Sequence, residues 1–332
     1  MVPHPRQRPS ALLLILALVD KMPLPNITPP KARGRKPTYP DRLFLKVGVL
    51  MTLKRLDKVH ELLAALEEPT SEMHTLRHYL APRGPFPARR TVERRLKRLA
   101  GLLPAIIAHV GAVLVERLQA YQETGRAAAM DSTVLRAKDG AVWHKAHKEK
   151  NEVPHTRIDT EAGWTKSGWH GWVYGWKLHL CCTAGSLWIP LAARLTPADV
   201  HDSSMGENMV PEIAGPVRFV LGDQHFNTAT MRSACQQRGM ELVATRGGKY
   251  PHADAGVGVR RVFHQLRSKS IENFNEHFKA IFDSHTDVPT KGKIATARFV
   301  LSAVLVYQLG LWARHELGLP LNQGLKAFLK AV

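Results

Sequence analysis

The stretch "RAAAMDSTVLRA", Arg126 to Ala137, decides how this chain folds. An apolar run gives out at Asp131 and is followed by β-branched Thr133 and Val134, the pattern of a buried strand whose end carries a carboxylate. Downstream, "VRFVLGD" (Val217–Asp223) repeats the arrangement and also ends on an aspartate. Between them, "WVYGWKLHLCCT" and "LWIPLAARLTP", joined by Ala184-Gly185-Ser186, read as a β-hairpin. A loop rich in His, Lys, Gly and Trp is expected from about Lys138 to Gly171. "PADVHDSSM" leads into a helix, and after Asp223 come a helix from about Thr228 to Arg238, the strand "MELVAT", and a basic loop from Arg246 to Arg261. Strand, hairpin, helix, strand, helix, strand, helix is the order of a mixed sheet with helices on its faces, an α/β fold.

The last helix of that series is "RSKSIENFNEHFKAIF", Arg267 to Phe282. Ile271, Phe274, Phe278 and Phe282 form its buried stripe, while Glu272, Glu276 and Lys279 share the other face. A solvated face with an ion pair worth a few tenths of a kcal/mol accounts for that pattern. The chemical reading starts from the sheet: strand ends form the rim where ligands bind. If the strands ending at Asp131 and Asp223 adjoin, their carboxylates approach, and Glu272 on a helix crossing the rim supplies a third. Clustered carboxylates repel unless a cation neutralises them, and Mg²⁺ prefers oxygen ligands. Two such ions roughly 4 Å apart serve in-line phosphoryl transfer.

Composition agrees with a phosphate-bearing partner. Of 332 residues, 47 are Lys or Arg and 28 are Asp or Glu, a formal charge of +19, which favours nucleic acid over an anionic membrane. Cys181, Cys182 and Cys235 give no disulfide framework and no C-x-x-C pair, in keeping with a reducing cytoplasm. The apolar run "ALLLILALV" (Ala11–Val19) follows a basic start as a signal peptide would, but lacks a small-x-small cleavage pattern and is too short to span a bilayer. It is expected as a helix packed on the domain, and no other stretch is expected to reach transmembrane length.

Residues 1–40 read as this helix plus a basic, Pro-rich connector, "MPLPNITPPKARGRKPTYP", able to follow a phosphate backbone or to act as a plain linker. Residues 41–124 read as helical: Asp41 to about Leu66, a basic helix capped by Thr91, and a further helix from about Leu103 to Thr124. Short helices ending in an Arg/Lys-rich one suit a helix-turn-helix-like DNA reader, with Arg89, Arg90, Arg94 and Arg95 at the DNA end. A generic bundle with solvated cations fits nearly as well. The sheet-bearing domain covers 125–290, and C-terminal helices in 291–332, chiefly one from about Ala295 to Leu317, pack on it.

With these landmarks on the page, residues from about Ala129 to Phe282 resemble the DDE transposases of bacterial insertion sequences, specifically the insertion-sequence-four-like superfamily. The carriers are "DST" at Asp131, "GWKLHL" at Gly175–Leu180, "PADVHDS" at Pro197–Ser203, "GDQHF" around Asp223, and "IENFNEHFK" at Ile271–Lys279. "RGRKPTYPDRLFLK" and "ARRTVERRL" extend the likeness upstream. The resemblance implies a ribonuclease H-like core, Asp131, Asp223 and Glu272 as ligands of two Mg²⁺ ions (Mn²⁺ as substitute), and endonucleolytic cleavage followed by 3′-hydroxyl strand transfer. It implies double-stranded DNA as partner, both terminal repeats and target, and a homodimer on paired ends. It also implies a place in the bacterial cytoplasm, on the nucleoid. Six residues separate Glu272 from Lys279, matching the family's phosphate-holding lysine. Gln265 and Ser268 stand where the family has tyrosine and arginine, and Arg267 falls one residue early, as a candidate phosphate ligand. Only 48 residues separate Asp223 from Glu272, too few for the large β insertion of some relatives. A nuclease that cuts without rejoining and an inactive, DNA-binding derivative are the alternatives.

Other features are weighed against this frame. Lys177 is a further candidate phosphate ligand, and His201 and His225 are candidate accessory groups, with helix capping as the competing role for His225. Trp164 and Trp169, set among glycines, are candidates for base stacking, while Trp172 and Trp176 share parity with Tyr174 and read as core. His144, His147 and His155 lack the acid or cysteine partners of a zinc site. Gly247-Gly248-Lys249 forms no complete phosphate loop, so no nucleotide is expected.

Overall fold

A computed structural model describes residues 10–22, 24, 38–82, 84–120, 126–142, 145–150, 152, 157–167, 171–213, 215–244 and 256–332. Most of the basic connector, together with Trp169, His144, His155 and Gly247–Lys249, lies outside the described residues. Chain order begins with α1 (Ala11–Lys21), α2 (Asp41–Leu53), α3 (Val59–Glu67), α4 (Ser71–Leu80) and α5 (Arg89–Leu118). As expected, the first apolar run is a packed helix: Ser10 caps it by accepting from the Leu13 N–H, and Leu12, Ile15, Leu16, Leu18 and Val19 are buried. Lys46 of α2 is itself buried, held at 2.6 Å by Asp20 and lying over the Tyr79 ring, so α1, α2 and α4 share one ionic contact.

Three helix boundaries differ from expectation. The single helix read from Asp41 to about Leu66 is two, broken where Arg55 takes a left-handed φ of 56°. The helix α4 was not foreseen, although Thr70 caps it by accepting from the Met73 N–H. Thr91 is not a cap: α5 starts at Arg89 and runs 30 residues straight through Pro104. A mid-helix proline costs about 3 kcal/mol. Here Leu99, Leu103, Ile106, Ile107 and Val110 are all buried on the same helix, and burying a side chain of that size contributes about 1.5–3 kcal/mol. Packing therefore outweighs the break.

The sheet follows with β1 (Ala127–Arg136), α6 (Lys145–Glu149), β2 (Gly163–Ser167), β3 (Gly171–Thr183), β4 (Pro190–Pro197), α7 (Asp202–Met209), β5 (Phe219–Gly222), α8 (Ala229–Gln237) and β6 (Glu241–Ala244). Its order is β2-β3-β1-β5-β6, with β4 also on β3. Strand β1 pairs antiparallel with β3 on one side and parallel with β5 on the other. The 13-residue β3 carries β2 along its first part and β4 along its second. Strand β2 falls inside the segment expected to be loop. Its sequence, Gly-Trp-Thr-Lys-Ser, is too short to show a period, and the edge of β3 supplies its pairing. The remaining helices are α9 (Gly256–Arg267), α10 (Asn273–Phe282), α11 (Lys293–Glu316) and α12 (Leu325–Lys330).

Helix α11 is buried almost all round from Val300 to Arg314 and packs against α5, α2 and β4. Both α5 and α11 are long and apolar enough by composition to cross a membrane, contrary to the expectation that no stretch would be, but the apolar windows are 56% and 72% buried within the fold. Where α5 meets β4, a Cβ on Gly111 would lie 2.3 Å from the Pro190 carbonyl oxygen and 3.3 Å from Gln308 Nε2. That same Nε2 donates to both the Ile107 and Pro190 carbonyls at 2.8 Å. Gly111→Ala gains about 1 kcal/mol of helix propensity but overpacks a backbone contact at about 3 kcal/mol, a net loss of about 2 kcal/mol. Urea unfolding should show a lower midpoint with an unchanged slope; a midpoint at or above that of the parent would contradict this packing.

Candidate active site

The ladder between β1 and β5 runs Ala127 to Phe219, Ala128 to Val220 and Ala129 to Leu221. Asp131 and Asp223 each follow the last pair of that ladder by two residues, close enough for the Asp223 charge to act on the Asp131 carboxyl. Strand β5 ends at Gly222, so Asp223 is free to turn out, and its Oδ1 accepts the His225 N–H at 2.8 Å. Asp131 Oδ1 accepts the Ser132 N–H at 2.8 Å. Burial pushes the Asp131 carboxyl up to about 6, opposed by the Ser132 N–H and Arg267, and reinforced by Asp223 and Asp202. Asp202, at the start of α7, thus belongs to the same acidic neighbourhood. Its Oδ1 lies 3.3 Å from Lys177 Nζ and 3.5 Å from His179 Nδ1. His179, buried on β3, is pushed down to about 4 by burial first, with Asp202 pulling it up and Lys177 down.

Glu272 arrives by an unforeseen device. Between α9 and α10 the helix widens into a π-turn, Ser268–Glu272. Ser270 anchors it from both sides: the buried hydroxyl donates to the Leu266 carbonyl at 2.5 Å and accepts the Gly185 N–H of the β3–β4 turn at 2.9 Å. In a regular α-helix, residues five apart point about 140° away from each other. A π-turn bonds i to i+5 and brings them onto one face. Arg267 and Glu272 are such a pair, and a guanidinium nitrogen donates to Glu272 Oε1 at 3.0 Å. The other terminal nitrogen stands 3.7 Å from Asp131 Oδ2. The early position of Arg267 is therefore absorbed by the helix, and Ser268 turns its hydroxyl to Glu272 Oε1 at 3.2 Å.

Beside these acids runs a groove of about 660 Å³ lined by Ser132, Thr133, Arg136, Glu272, Glu276 and Lys279, among others. Lys279 stands 3.7 Å from Glu276, whose side chain is 69% exposed. Several residues expected at a nucleic-acid surface lie elsewhere. Lys177 is turned inward, donating to the Val200 carbonyl as well as facing Asp202, so it is an internal ion pair rather than an open phosphate ligand. Arg95 donates to the Tyr39 carbonyl, pairs with Asp41 and stacks on Phe44. Trp164 is buried with its ring 5.1 Å from that of Tyr174, leaving no face for a base. Trp172, read as core, is instead 46% exposed beneath Lys145, because it opens β3 before the sheet is covered; Trp176 is fully buried. Arg90 and Arg94 are exposed on α5, and Arg89 is exposed but paired with Glu93. His201 and His225 are exposed beside α7 and Asp223.

From the sequence, Asp202 stands between a place at the rim with His201 and a helix-capping role; the structure brings it into the acidic neighbourhood. Sequence reasoning missed Arg136 in the groove and the bridging geometry of Arg267. Hard carboxylate oxygens suit Mg²⁺ or Mn²⁺. Among the described residues, no three His, Cys, Asp or Glu side chains are grouped closely enough to hold an ion. Glu272 is engaged by Arg267 and Ser268 instead. The donor set fits a divalent cation once that carboxylate turns from its present partners.

No curated protein matches the chain in sequence. Two solved structures are weakly similar. One is a cryo-EM structure of the piggyBac transposase synaptic complex with hairpin DNA, at 11% identity over 98% of this chain and 80% of that one, with a TM-score of 0.41. The other is the Mos1 transposase paired-end complex with left transposon end, at 12% identity over 91% and 82%, with a TM-score of 0.23. Likenesses this slight say nothing of what this chain does. The family described as a transposase DDE domain matches residues 124–286, a span that holds Asp131, Asp223, Glu272 and Lys279. Over that span, just under half of the chain, the protein is similar to the transposase DDE domain family.

Proposed function

We propose that this protein binds the ends of an insertion sequence and, with Mg²⁺ held by Asp131, Asp223 and Glu272, cleaves DNA and joins the freed 3′ ends to target DNA. The observation that carries this reading is the pairing of β1 with β5, two residues beyond which lie Asp131 and Asp223, with Glu272 linked to Asp131 through Arg267. In the first step a water oxygen bonds to phosphorus and the bond to the 3′ oxygen breaks, leaving a 3′-hydroxyl and a 5′-phosphate. In the second, that hydroxyl attacks a target phosphodiester and displaces another 3′ oxygen. Bound cations would polarise the phosphate and favour the deprotonated nucleophile. The chain's own residues do the rest. Lys279 and Arg136 line the groove and would hold non-bridging phosphate oxygens, and exposed Arg90 and Arg94 would hold the duplex backbone further off. Assembly as a homodimer on paired ends and action on nucleoid DNA in the cytoplasm complete the proposal.

The test is incubation with a DNA end bearing the flanking terminal repeat, with and without Mg²⁺, resolving nicked, hairpin and joined products. Joined products from pre-cut ends, only with the metal, are expected. Nicks without joining would make it a nuclease. Metal-independent binding with no cleavage under any divalent ion would make it a DNA-binding derivative.

A further inference from the structure

Arg267 holds an unusual station. Its side chain is 15% exposed, and its two terminal nitrogens face Asp131 Oδ2 at 3.7 Å and Glu272 Oε1 at 3.0 Å. These are two of the three acids assigned above to a cation, and they come from different elements, β1 and the π-turn. An arginine projecting from a regular helix at this position would point away from Glu272. The π-turn, pinned by Ser270 to the β3–β4 hairpin, is what turns it inward. The fold thus builds in a guanidinium where like charges would otherwise meet unscreened. We infer that Arg267 is an internal counter-cation that competes with divalent ions for Asp131 and Glu272 in the DNA-free protein.

The physical reasoning is a contest for the same oxygens. Glu272 Oε1 accepts from Arg267 and from Ser268, and a cation using that atom must take it from both. A fixed positive charge 3–4 Å from the carboxylates also repels an incoming ion directly. A DNA phosphate in the adjacent groove would offer Arg267 another anionic partner, so the acids would be released as substrate arrives. Metal loading in the free protein is thereby held back, and a basic protein that meets DNA everywhere gains a safeguard against firing before a phosphate is seated.

The inference rests on the carboxylates being cation ligands, and the experiment separates the two. Mn²⁺ binding to the DNA-free protein is measured by electron paramagnetic resonance at pH 8, with circular dichroism confirming the fold. Arg267→Ala, and Arg267→Gln as a variant that keeps the stem, should each bind Mn²⁺ on the order of tenfold more tightly than the parent. Arg267→Lys, which keeps the charge but not the fork, should fall between. Glu272→Gln and Asp223→Asn should weaken binding. If those two weaken it while Arg267→Ala and Arg267→Gln do not tighten it, the competition is overturned and the carboxylate reading stands. If Glu272→Gln and Asp223→Asn leave Mn²⁺ affinity unchanged, the carboxylate reading fails and the competition falls with it.

Discussion

Glu272→Gln is expected to lower DNA cleavage on the order of 10³-fold or more, while Glu276→Gln, one helical turn away, changes it by less than about threefold. The two side chains line the same groove and carry the same charge, so the contrast isolates position. Glu276 is 69% exposed, and among the described residues its carboxylate is ion-paired with Lys279 alone, at 3.7 Å. Glu272 is joined through Arg267 to Asp131, and Asp131 feels the charge of Asp223. Replacing Glu272 by its amide keeps the shape and the ability to accept from Arg267 and Ser268, so the fold and DNA affinity should be retained. Removing one anionic oxygen donor should abolish the chemistry without those losses. A metal-dependent nicking assay on both variants, alongside a DNA-binding titration, decides the matter: equal activities would sink the assignment of Glu272.

The apolar runs before Asp131 and Asp223 are legible because hydrophobicity is a local signal, but only β5 ends at its aspartate: Asp131 lies mid-strand, because β1 runs on to Arg136 along β3. The buried stripe of Ile271, Phe274 and Phe278 is legible for the same reason. What escapes the sequence is whatever depends on a distant partner. The π-turn needs the Ser270 hydroxyl to meet the Gly185 N–H, 85 residues away in the chain, and no window around Ser270 contains that contact. Lys177 looks like any strand lysine until α7 brings Asp202 beside it. Trp164 among glycines looks free until β2 pairs with β3 and sets it against Tyr174. Pro104 looks like a helix boundary until α5 is seen to bury both flanks. In each case tertiary packing overrides a local cue that was read for what it was.

Asp131→Asn should abolish cleavage yet leave the metal-free protein more stable than the parent at pH 8. The Asp131 carboxyl is pushed up to about 6, mainly by burial, with Asp223 and Asp202 adding repulsion. A carboxyl whose folded-state value lies above its unfolded value of 3.8 binds its proton more tightly in the folded state. Its contribution to stability is fully present below about pH 4, shrinks between about 4 and 6, and is lost above 6. The upward displacement of about two units corresponds to about 3 kcal/mol lost across that window. Asparagine has no proton to lose, so the variant should be spared that decline, and its advantage should grow from pH 4 to pH 7 and then level off. Thermal unfolding of both proteins in chelator, scanned across that range, gives the difference curve. A parent at least as stable as Asp131→Asn at pH 8 would mean that Arg267 and the Ser132 N–H compensate the buried charge in full, and that the site is not strained for want of a cation. Saturating Mn²⁺ should then narrow or reverse the gap, because only the parent gains from neutralising Asp131.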